Sequence, residues 1–120
     1  MDLKPDYQFK GRITKIVDGD TLDAVVHLGF RVSIDLRLRL YGIDTPELRD
    51  ADPTMRLNAQ KAKARLIELT GNPMVLIKSH KPFHTEKFGR YLCQLYNSDG
   101  VNINQTLLDE GLAIPFMVDK

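Results

Sequence analysis

Alternation of apolar and polar residues is clearest between residues 31 and 40. Five apolar side chains take every second position there, and charged or hydroxyl side chains take the others: Val32, Ile34, Leu36, Leu38 and Leu40 against Arg31, Ser33, Asp35, Arg37 and Arg39. Such alternation is typical of a strand with one face buried. Gly42 interrupts the pattern, and Pro46 disfavours helical geometry at Thr45, so we predict a fixed bend over residues 42–47.

Weaker β-patterns lie on both sides of this strand. The segment before Asp18-Gly19 is rich in β-branched residues, and the pair itself is a strong tight-turn signal. Alternation resumes after this turn and stops at Gly29. The predicted strands are residues 9–17, 21–28, 31–40, 74–77 and 90–96, with a polar loop over residues 81–87 between the last two.

Two segments carry helical signals. Asp52-Pro53 supplies a cap and a first-turn proline, and residues 55–69 have apolar side chains at three- and four-residue spacing. A second helix is predicted from a cap at Asn102 or Asn104 through Glu110. Five short strands with a helix before the fourth favour an α+β, mainly β fold: a five-stranded OB-fold barrel with two packed helices.

Length and composition narrow the class of protein. A chain of 120 residues with 42% hydrophobic residues is enough for one domain, which we place at residues 9–120 after an N-terminal arm at residues 1–8. The formal net charge of +1 gives no global sign of a nucleic-acid binder, so any phosphate recognition must be local. Cys93 is the single cysteine, which excludes an internal disulfide and favours a buried thiol.

The beginning of the chain and its apolar runs bear on location. Charges and a proline occupy residues 1–6, where a secretory signal would need an apolar run, and no apolar stretch is long enough to span a bilayer. We therefore expect a cytoplasmic protein, not bound to membrane. No obligate protein partner is evident, and we expect a monomer.

Candidate chemistry is concentrated in three separated segments. A cation, two carboxylates and a proline-fixed turn follow strand three directly, from Arg39 to Glu47. The turn Asp18-Gly19-Asp20-Thr21 adds acidic oxygens, and Gly89-Arg90 adds a second guanidinium. If the fold brings them together, they could bind one phosphate and one hard cation.

These motifs together carry a family resemblance. Asp18-Gly19-Asp20-Thr21, Arg39 followed by Ile43-Asp44-Thr45-Pro46-Glu47, Gly89-Arg90, and Val101-Asn102 with Gly111-Leu112-Ala113 occur in this order. The chain thereby resembles the staphylococcal-nuclease (thermonuclease-like) domain over about residues 9–114. Single pieces such as Asp-Gly turns are common, whereas the ordered set is a strong signal.

The resemblance implies an activity and a role for each matching residue. The family comprises calcium-dependent OB-fold phosphodiesterases that cleave DNA and RNA with little sequence preference, so that the 5′ oxygen leaves. By position, the implied roles are calcium binding for Asp20, Asp44 and the Thr45 carbonyl, water activation for Glu47, scissile-phosphate binding for Arg39 and Arg90, and substrate binding for Lys87 and Phe88. Relatives often have a tyrosine at the position of Phe88, which lends a hydroxyl that Phe88 lacks.

Each candidate also has a plainer interpretation. Arg39 shares a polar face with other arginines and could be one more solvated charge, and Glu47 and Arg90 could be surface charges. Asp18 is equally well explained as a turn former. The rival function is a catalytically inactive OB-fold module that binds nucleic acid or protein. The nuclease hypothesis requires that Arg39 and Arg90 face the same pocket.

Overall fold

The computed structural model describes residue 3 and residues 6–80 and 89–116. In chain order its elements are β1 (Gln8–Asp18), β2 (Thr21–Gly29), β3 (Val32–Leu40), β4 (Ile43–Asp44), α1 (Pro53–Leu69), β5 (Met74–Ser79), β6 (Tyr91–Tyr96), α2 (Ile103–Asp109) and β7 (Ile114–Pro115).

Five strands form a closed barrel in the order β1-β2-β3-β6-β5, and β5 pairs with β1 to close it. All pairs are antiparallel except β3 with β6, which runs parallel from Leu38 to Leu40. Closure gives each of the five strands a neighbour on both sides, although β3 meets β6 only from Leu38 to Leu40. The predicted α+β, mainly β fold with a five-stranded OB-type barrel and two helices is confirmed.

The helices pack where their predicted apolar faces point. Asp52 caps α1 by accepting a hydrogen bond from the Thr54 backbone N–H at 2.9 Å, and α1 buries Ala59, Ala62 and Leu66. The fully buried core joins both helices to the barrel interior and includes Leu22, Leu38, Leu40, Leu66, Leu95, Ile103 and Leu107. Burial of a leucine side chain contributes roughly 2 to 3 kcal/mol, so this core provides the main stabilisation of the barrel.

Two short strands were not predicted. The bend after β3 contains β4, and the apolar tail after α2 contains β7, which pairs with it: Asp44 lies opposite Ile114, and the Phe116 N–H donates to the Gly42 carbonyl at 2.9 Å. Two-residue strands have no periodicity to detect, so they are visible only in the folded chain. Their consequence is that the tail is tied to the bend.

The prediction that β3 is half-buried along its whole length is wrong for its first half. Val32 and Ile34 are 52% and 44% exposed, whereas Leu38 and Leu40 are buried. The β2–β3 hairpin extends past the end of the barrel, so the inward face of its outer part has no core to meet. Phe30 and Arg31 form the tip, both with positive φ of 55° and 64°, a conformation that L-residues with a bulky side chain rarely adopt.

Neither described helix combines the length and the apolar character that crossing a bilayer demands. Cys93 on β6 is 1% exposed, and burial raises the pKa of its thiol to about 12. The expectation of an inert, buried cysteine is therefore met, since the reactive thiolate is suppressed.

Candidate active site

The candidate residues meet at one end of the barrel because of the register between β2 and β3. Thr21 at the start of β2 lies opposite Arg39 near the end of β3, and the Leu40 N–H donates to the Asp20 carbonyl at 2.9 Å. The bend that follows β3 then carries Asp44 back over the same end. Sequence segments that are 20 residues apart thus become neighbours.

Asp20 is the centre of this arrangement. It is only 6% exposed, and its Oδ2 accepts a hydrogen bond from the Thr45 backbone N–H at 3.0 Å and lies 3.3 Å from Arg39 Nη1. Its Oδ1 accepts a hydrogen bond from the Thr21 hydroxyl at 2.9 Å. A buried carboxylate needs such partners, since an unpaired charge in this position would be strongly destabilising.

Arg39 is enclosed and is not a solvated charge of the strand's polar face. Its side chain is 5% exposed, and Nη2 lies 3.3 Å from Asp44 Oδ1 while Nη1 donates to the Leu40 carbonyl at 3.1 Å. The Phe116 ring covers the guanidinium, with 5.8 Å between the Arg39 Cζ and the ring centroid. Contacts on the edge and on the face hold the plane of this side chain in one orientation.

Arg90 reaches the same centre from the start of β6. Its Nη1 donates to the Thr21 hydroxyl at 3.2 Å, and that hydroxyl donates to Asp20. Arg39 contacts Asp20 directly and Arg90 contacts it through one hydroxyl, so both guanidinium groups converge on the same carboxylate. The nuclease hypothesis requires such a convergence.

Negative charge exceeds what the arginines neutralise. Burial and the charge of Asp20 raise the pKa of Asp44, against the opposing effect of Arg39, and Glu47 adds to the rise. The pKa of Asp18 is raised by burial and then by Asp20 and Glu47. Exposed Glu47 is therefore within electrostatic range of both carboxylates. The cluster of carboxylates therefore attracts cations.

Gly19 allows this corner to close against α1. A Cβ on Gly19 would lie 2.7 Å from the Ala62 Cβ and 3.0 Å from the Thr45 Oγ1, and real Cβ atoms essentially never approach a neighbour as closely as the first distance. Both contacts belong to packed elements that cannot yield cheaply. Glycine is therefore required at this position because the backbone passes close to Ala62 and Thr45, more than because of the geometry of the turn.

The oxygen atoms suit a hard cation. Asp20 and Asp44 carry carboxylates close enough for the first to raise the pKa of the second, and a divalent ion between them would relieve that repulsion. Among residues 6–80 and 89–116, no group of three or more His, Cys, Asp or Glu side chains has metal-binding geometry. The donors fit an ion that completes its shell with a carbonyl and water, as calcium does.

A cavity of about 310 Å³ adjoins the acidic corner. Asp44, Thr45 and Pro46 form one side, and the other sides come from Met55 and Asn58 of α1 and from the turn at residues 111–114. A groove of mixed polarity thus leads away from the paired charges, with room for a segment of an extended ligand.

The family model described as "Staphylococcal nuclease homologue" matches residues 37–120. The chain belongs to this family. The match includes Arg39, Asp44, Glu47 and Arg90, and β1 and β2, with Asp20, precede it.

Curated relatives carry nuclease names. "Endonuclease YncB" of Bacillus subtilis is 30% identical over 101 residues, which are 84% of this chain and 45% of that protein. "SPbeta prophage-derived endonuclease YokF" of the same species is 31% identical over 84% of this chain and 32% of its own length. "Micrococcal nuclease" of Shigella flexneri is 31% identical over 88% of this chain and 57% of its length. The chain thus spans about a third to somewhat more than half of these relatives.

The structure adds residues to this staphylococcal nuclease homologue that the sequence did not single out. Lys63 of α1 lowers the pKa of Asp18, which places its ammonium near the acidic cluster. Asn104 is 3% exposed, and its amide nitrogen donates to the Tyr41 carbonyl at 3.0 Å and to the Cys93 carbonyl at 3.1 Å. Asn102 is the cap of α2, so Asn104 instead fastens α2 to the segment between Arg39 and Asp44.

Only proximity in the fold indicates a role for Lys63, Asn104 and Phe116. Lys63 shares its helix with Lys61 and two arginines, Asn104 was a candidate cap, and Phe116 lies in an apolar tail. Of the predicted site, Asp20, Asp44, Thr45, Arg39 and Arg90 are brought together and Glu47 lies at their rim. Lys87 and Phe88 lie outside the described residues.

Proposed function

We propose that this domain is a calcium-dependent phosphodiesterase that hydrolyses DNA, RNA or both with little sequence specificity. Water attacks phosphorus and the 5′ oxygen leaves. The observation that carries the proposal is the meeting of Arg39 and Arg90 on Asp20, because a phosphodiester cleft needs cations on one side and acids for metal and water beside them. Family membership and the nuclease names of the relatives support it.

The two arginines stabilise charge on the phosphoryl oxygens. Attack on an anionic diester concentrates further negative charge there, and a planar guanidinium can hold two oxygens at once. Arg39 keeps capacity for this, since a guanidinium has five N–H donors and the contacts to Asp20, Asp44 and the Leu40 carbonyl engage at most three of them. Each such donor contributes about 3 to 4 kcal/mol in a transition state.

Glu47 orients and deprotonates the attacking water. It is exposed at the rim of the site, where water is available, and it lies in range of the more buried carboxylates. A carboxylate within reach of the water can accept its proton. Asp18 lies within electrostatic range of Glu47, and its own pKa is raised by burial first and by Asp20 and Glu47 after that.

Asp20, Asp44 and the Thr45 carbonyl would hold the calcium ion. Bound there, it would neutralise charge on the phosphate and help to orient the reactants. The substrate reaches Arg39 by the edge next to half-exposed Asp44, since Phe116 covers the face of the guanidinium. Lys87 and Phe88 enter the proposal as substrate-binding residues through the family resemblance alone, and a phenylalanine ring can stack on a base but cannot donate a hydrogen bond.

The deciding experiment measures acid-soluble nucleotides released from single-stranded DNA and from RNA, in calcium and in EDTA. We expect release only in calcium, and we expect Arg39→Lys and Arg90→Lys each to lose about a hundredfold or more, because a point charge cannot replace the fork. Arg12→Lys, an exposed arginine of β1, is the matched control and should keep full activity.

Two outcomes would refute the proposal. Folded wild-type protein that binds nucleic acid without calcium and releases nothing would be a binding module. Equal unfolding of Arg39→Lys and Arg90→Lys, seen by circular dichroism, would make the arginines structural.

A further inference from the structure

The cavity of about 310 Å³ is continuous with the candidate active site. Asp44 lines the cavity and also contacts Arg39, with 3.3 Å between its Oδ1 and the Arg39 Nη2. The Asp44 side chain is 45% exposed, so the passage between the two is open to solvent. A polynucleotide bound at Arg39 and Arg90 can therefore extend past Asp44 into this cavity.

Two large apolar side chains are exposed at the cavity. Met55 of α1 is 36% exposed and Ile114 of β7 is 64% exposed, and both line it. The buried core of the described chain includes neither of them, so packing of the fold does not account for their place. Exposed apolar side chains around a concave space beside polar groups are typical of a ligand site.

Asn58 adds an available amide to the wall of the cavity. It is half-buried on α1, and no hydrogen bond joins its side chain to another group of residues 6–80 and 89–116. The Asp44 carboxylate, by contrast, already accepts a hydrogen bond from Arg39. The Asn58 amide therefore keeps its donor and its acceptor for a ligand.

We propose that this cavity is a subsite for one nucleobase of the substrate, in a nucleotide beside the scissile phosphate. The ring contacts the Met55 and Ile114 side chains, and the edge of the base hydrogen-bonds to the Asn58 amide. The inference rests on the proposed function, because nucleic acid bound at the two arginines is what brings a base to Asp44. A volume near the lower end of the roughly 300 to 1,000 Å³ of ligand pockets suits a single nucleoside.

A second phosphate of the substrate fits this cavity less well than a base does. The described residues that line the cavity include no lysine or arginine, and the Asp44 carboxylate would repel an anion. Apolar contacts accept the face of any base, so the subsite is compatible with cleavage of little sequence preference. Asn58 alone distinguishes one base edge from another.

An abasic scan tests the contact with the base. The substrate is a short single-stranded DNA with one cleavable linkage, and each of the two nucleotides on either side is replaced in turn by an abasic residue. At one of these positions wild type should lose about tenfold in kcat/KM, mainly through KM, because a stacked base contributes to binding. Met55→Ser should reduce that loss to about twofold. Leu57→Ser, an exposed apolar residue of the same helix outside the cavity, is the matched control and should retain the tenfold loss.

Variation of the base at the same position tests Asn58. Wild type should cleave the four substrates at rates that differ about threefold to tenfold, and Asn58→Leu should abolish these differences, because leucine keeps the volume of the side chain and removes its hydrogen-bonding groups. Gln60→Leu, an exposed amide of α1 that does not line the cavity, is the control and should keep the wild-type preference.

Nuclear magnetic resonance separates this inference from the proposed function. In calcium, a tetranucleotide with hydrolysis-resistant linkages should shift the Asn58 side-chain amide and Met55 methyl resonances, and its abasic analogue should not. These shifts in a protein that hydrolyses nothing would support the subsite and refute the nuclease. Hydrolysis at equal rates of intact and abasic substrates, with both resonances unchanged, would overturn the subsite and leave the nuclease standing. Neither shifts nor hydrolysis would overturn both.

Discussion

The two ends of β3 reverse the usual assignment of polar and apolar residues. At its end, Arg39 is 4% exposed among two carboxylates and an aromatic ring. Near its beginning, Val32 and Ile34 are 52% and 44% exposed. One uninterrupted alternation runs through both ends. It determines which side of the sheet a residue faces, whereas the elements that cover each side determine whether the residue is buried.

Ion pairs on this strand differ in the same way. Arg37 binds Asp23 through two hydrogen bonds of 2.7 and 2.9 Å, and Arg39 lies 3.3 Å from each of its carboxylates. The Arg37 side chain is 48% exposed, so solvent screens the shorter pair. We therefore expect the loss of Arg39, which leaves buried Asp20 without one of its partners, to affect stability more than the loss of Arg37.

The largest predicted effect separates these arginines. Arg39→Leu should reduce the free energy of unfolding by about 3 to 5 kcal/mol, because it leaves Asp20 buried with a lost partner. Arg37→Leu should change it by roughly 1 kcal/mol or less. Urea denaturation in EDTA measures both. Similar losses in the two variants would show that burial does not govern the pairs on β3.

Substitution of the glycine at the candidate site and of the glycine at the β2–β3 hairpin should have different effects. Gly19→Ala forces a Cβ against Ala62 and Thr45 and should cost about 1 to 3 kcal/mol together with most of the hydrolytic activity. Gly29→Ala at the hairpin meets no atom within 4 Å but has a φ of 86°, so it should cost about 1 kcal/mol and leave activity intact. Thermal unfolding and nucleotide release are the measurements. Full activity in Gly19→Ala would contradict the packing argument.

Relief of the backbone strain at the tip of the β2–β3 hairpin should have a smaller effect, and it should increase the free energy of unfolding. Phe30→Asn should raise the free energy of unfolding by about 0.5 to 1 kcal/mol, because asparagine tolerates the positive φ of this turn better than phenylalanine. Phe30→Ala removes the same exposed ring without relieving the backbone and serves as the control. Thermal melts of dilute protein should place Asn above wild type and Ala at or below it.

The smallest effect is the pH dependence of the exposed pair. A hydrogen bond from Arg37 lowers the pKa of Asp23 below its usual 3.8, so the pair stabilises the fold above that pH and the contribution disappears as pH falls through the lowered pKa. Asp23→Asn should lower stability by about 0.2 to 1 kcal/mol at pH 7 and by nothing in strong acid. Urea midpoints at several pH values measure this difference. A constant difference at all pH values would assign it to packing.

Periodicity and caps were sufficient to predict the barrel strands and both helices. Thr21 to Gly29 and Pro53 to Leu69 agree with their sequence patterns within two residues at each end. Charge-bearing motifs indicated the candidate site, because the chemistry of the Asp20, Arg39 and Arg90 side chains is visible in the sequence. The convergence itself depends on strand register, which no local pattern states.

What escaped prediction depends on contacts between distant segments. Lys63, Asn104 and Phe116 acquire their roles from α1, α2 and β7 packing beside the bend. The exposure of the first half of β3 was not predicted because the sequence shows that a strand has an apolar face but does not show how far the barrel extends beneath it. Asp18, which the sequence leaves ambiguous, has a pKa raised by burial and then by Asp20 and Glu47, so it lies within electrostatic range of both acids.

The pairing of β7 with β4 has a consequence for biosynthesis. Ile114 lies opposite Asp44, and Phe116 covers Arg39, so the last described residues complete a pocket whose other parts begin at Asp20. A growing polypeptide cannot assemble that pocket until nearly the whole domain has left the ribosomal tunnel.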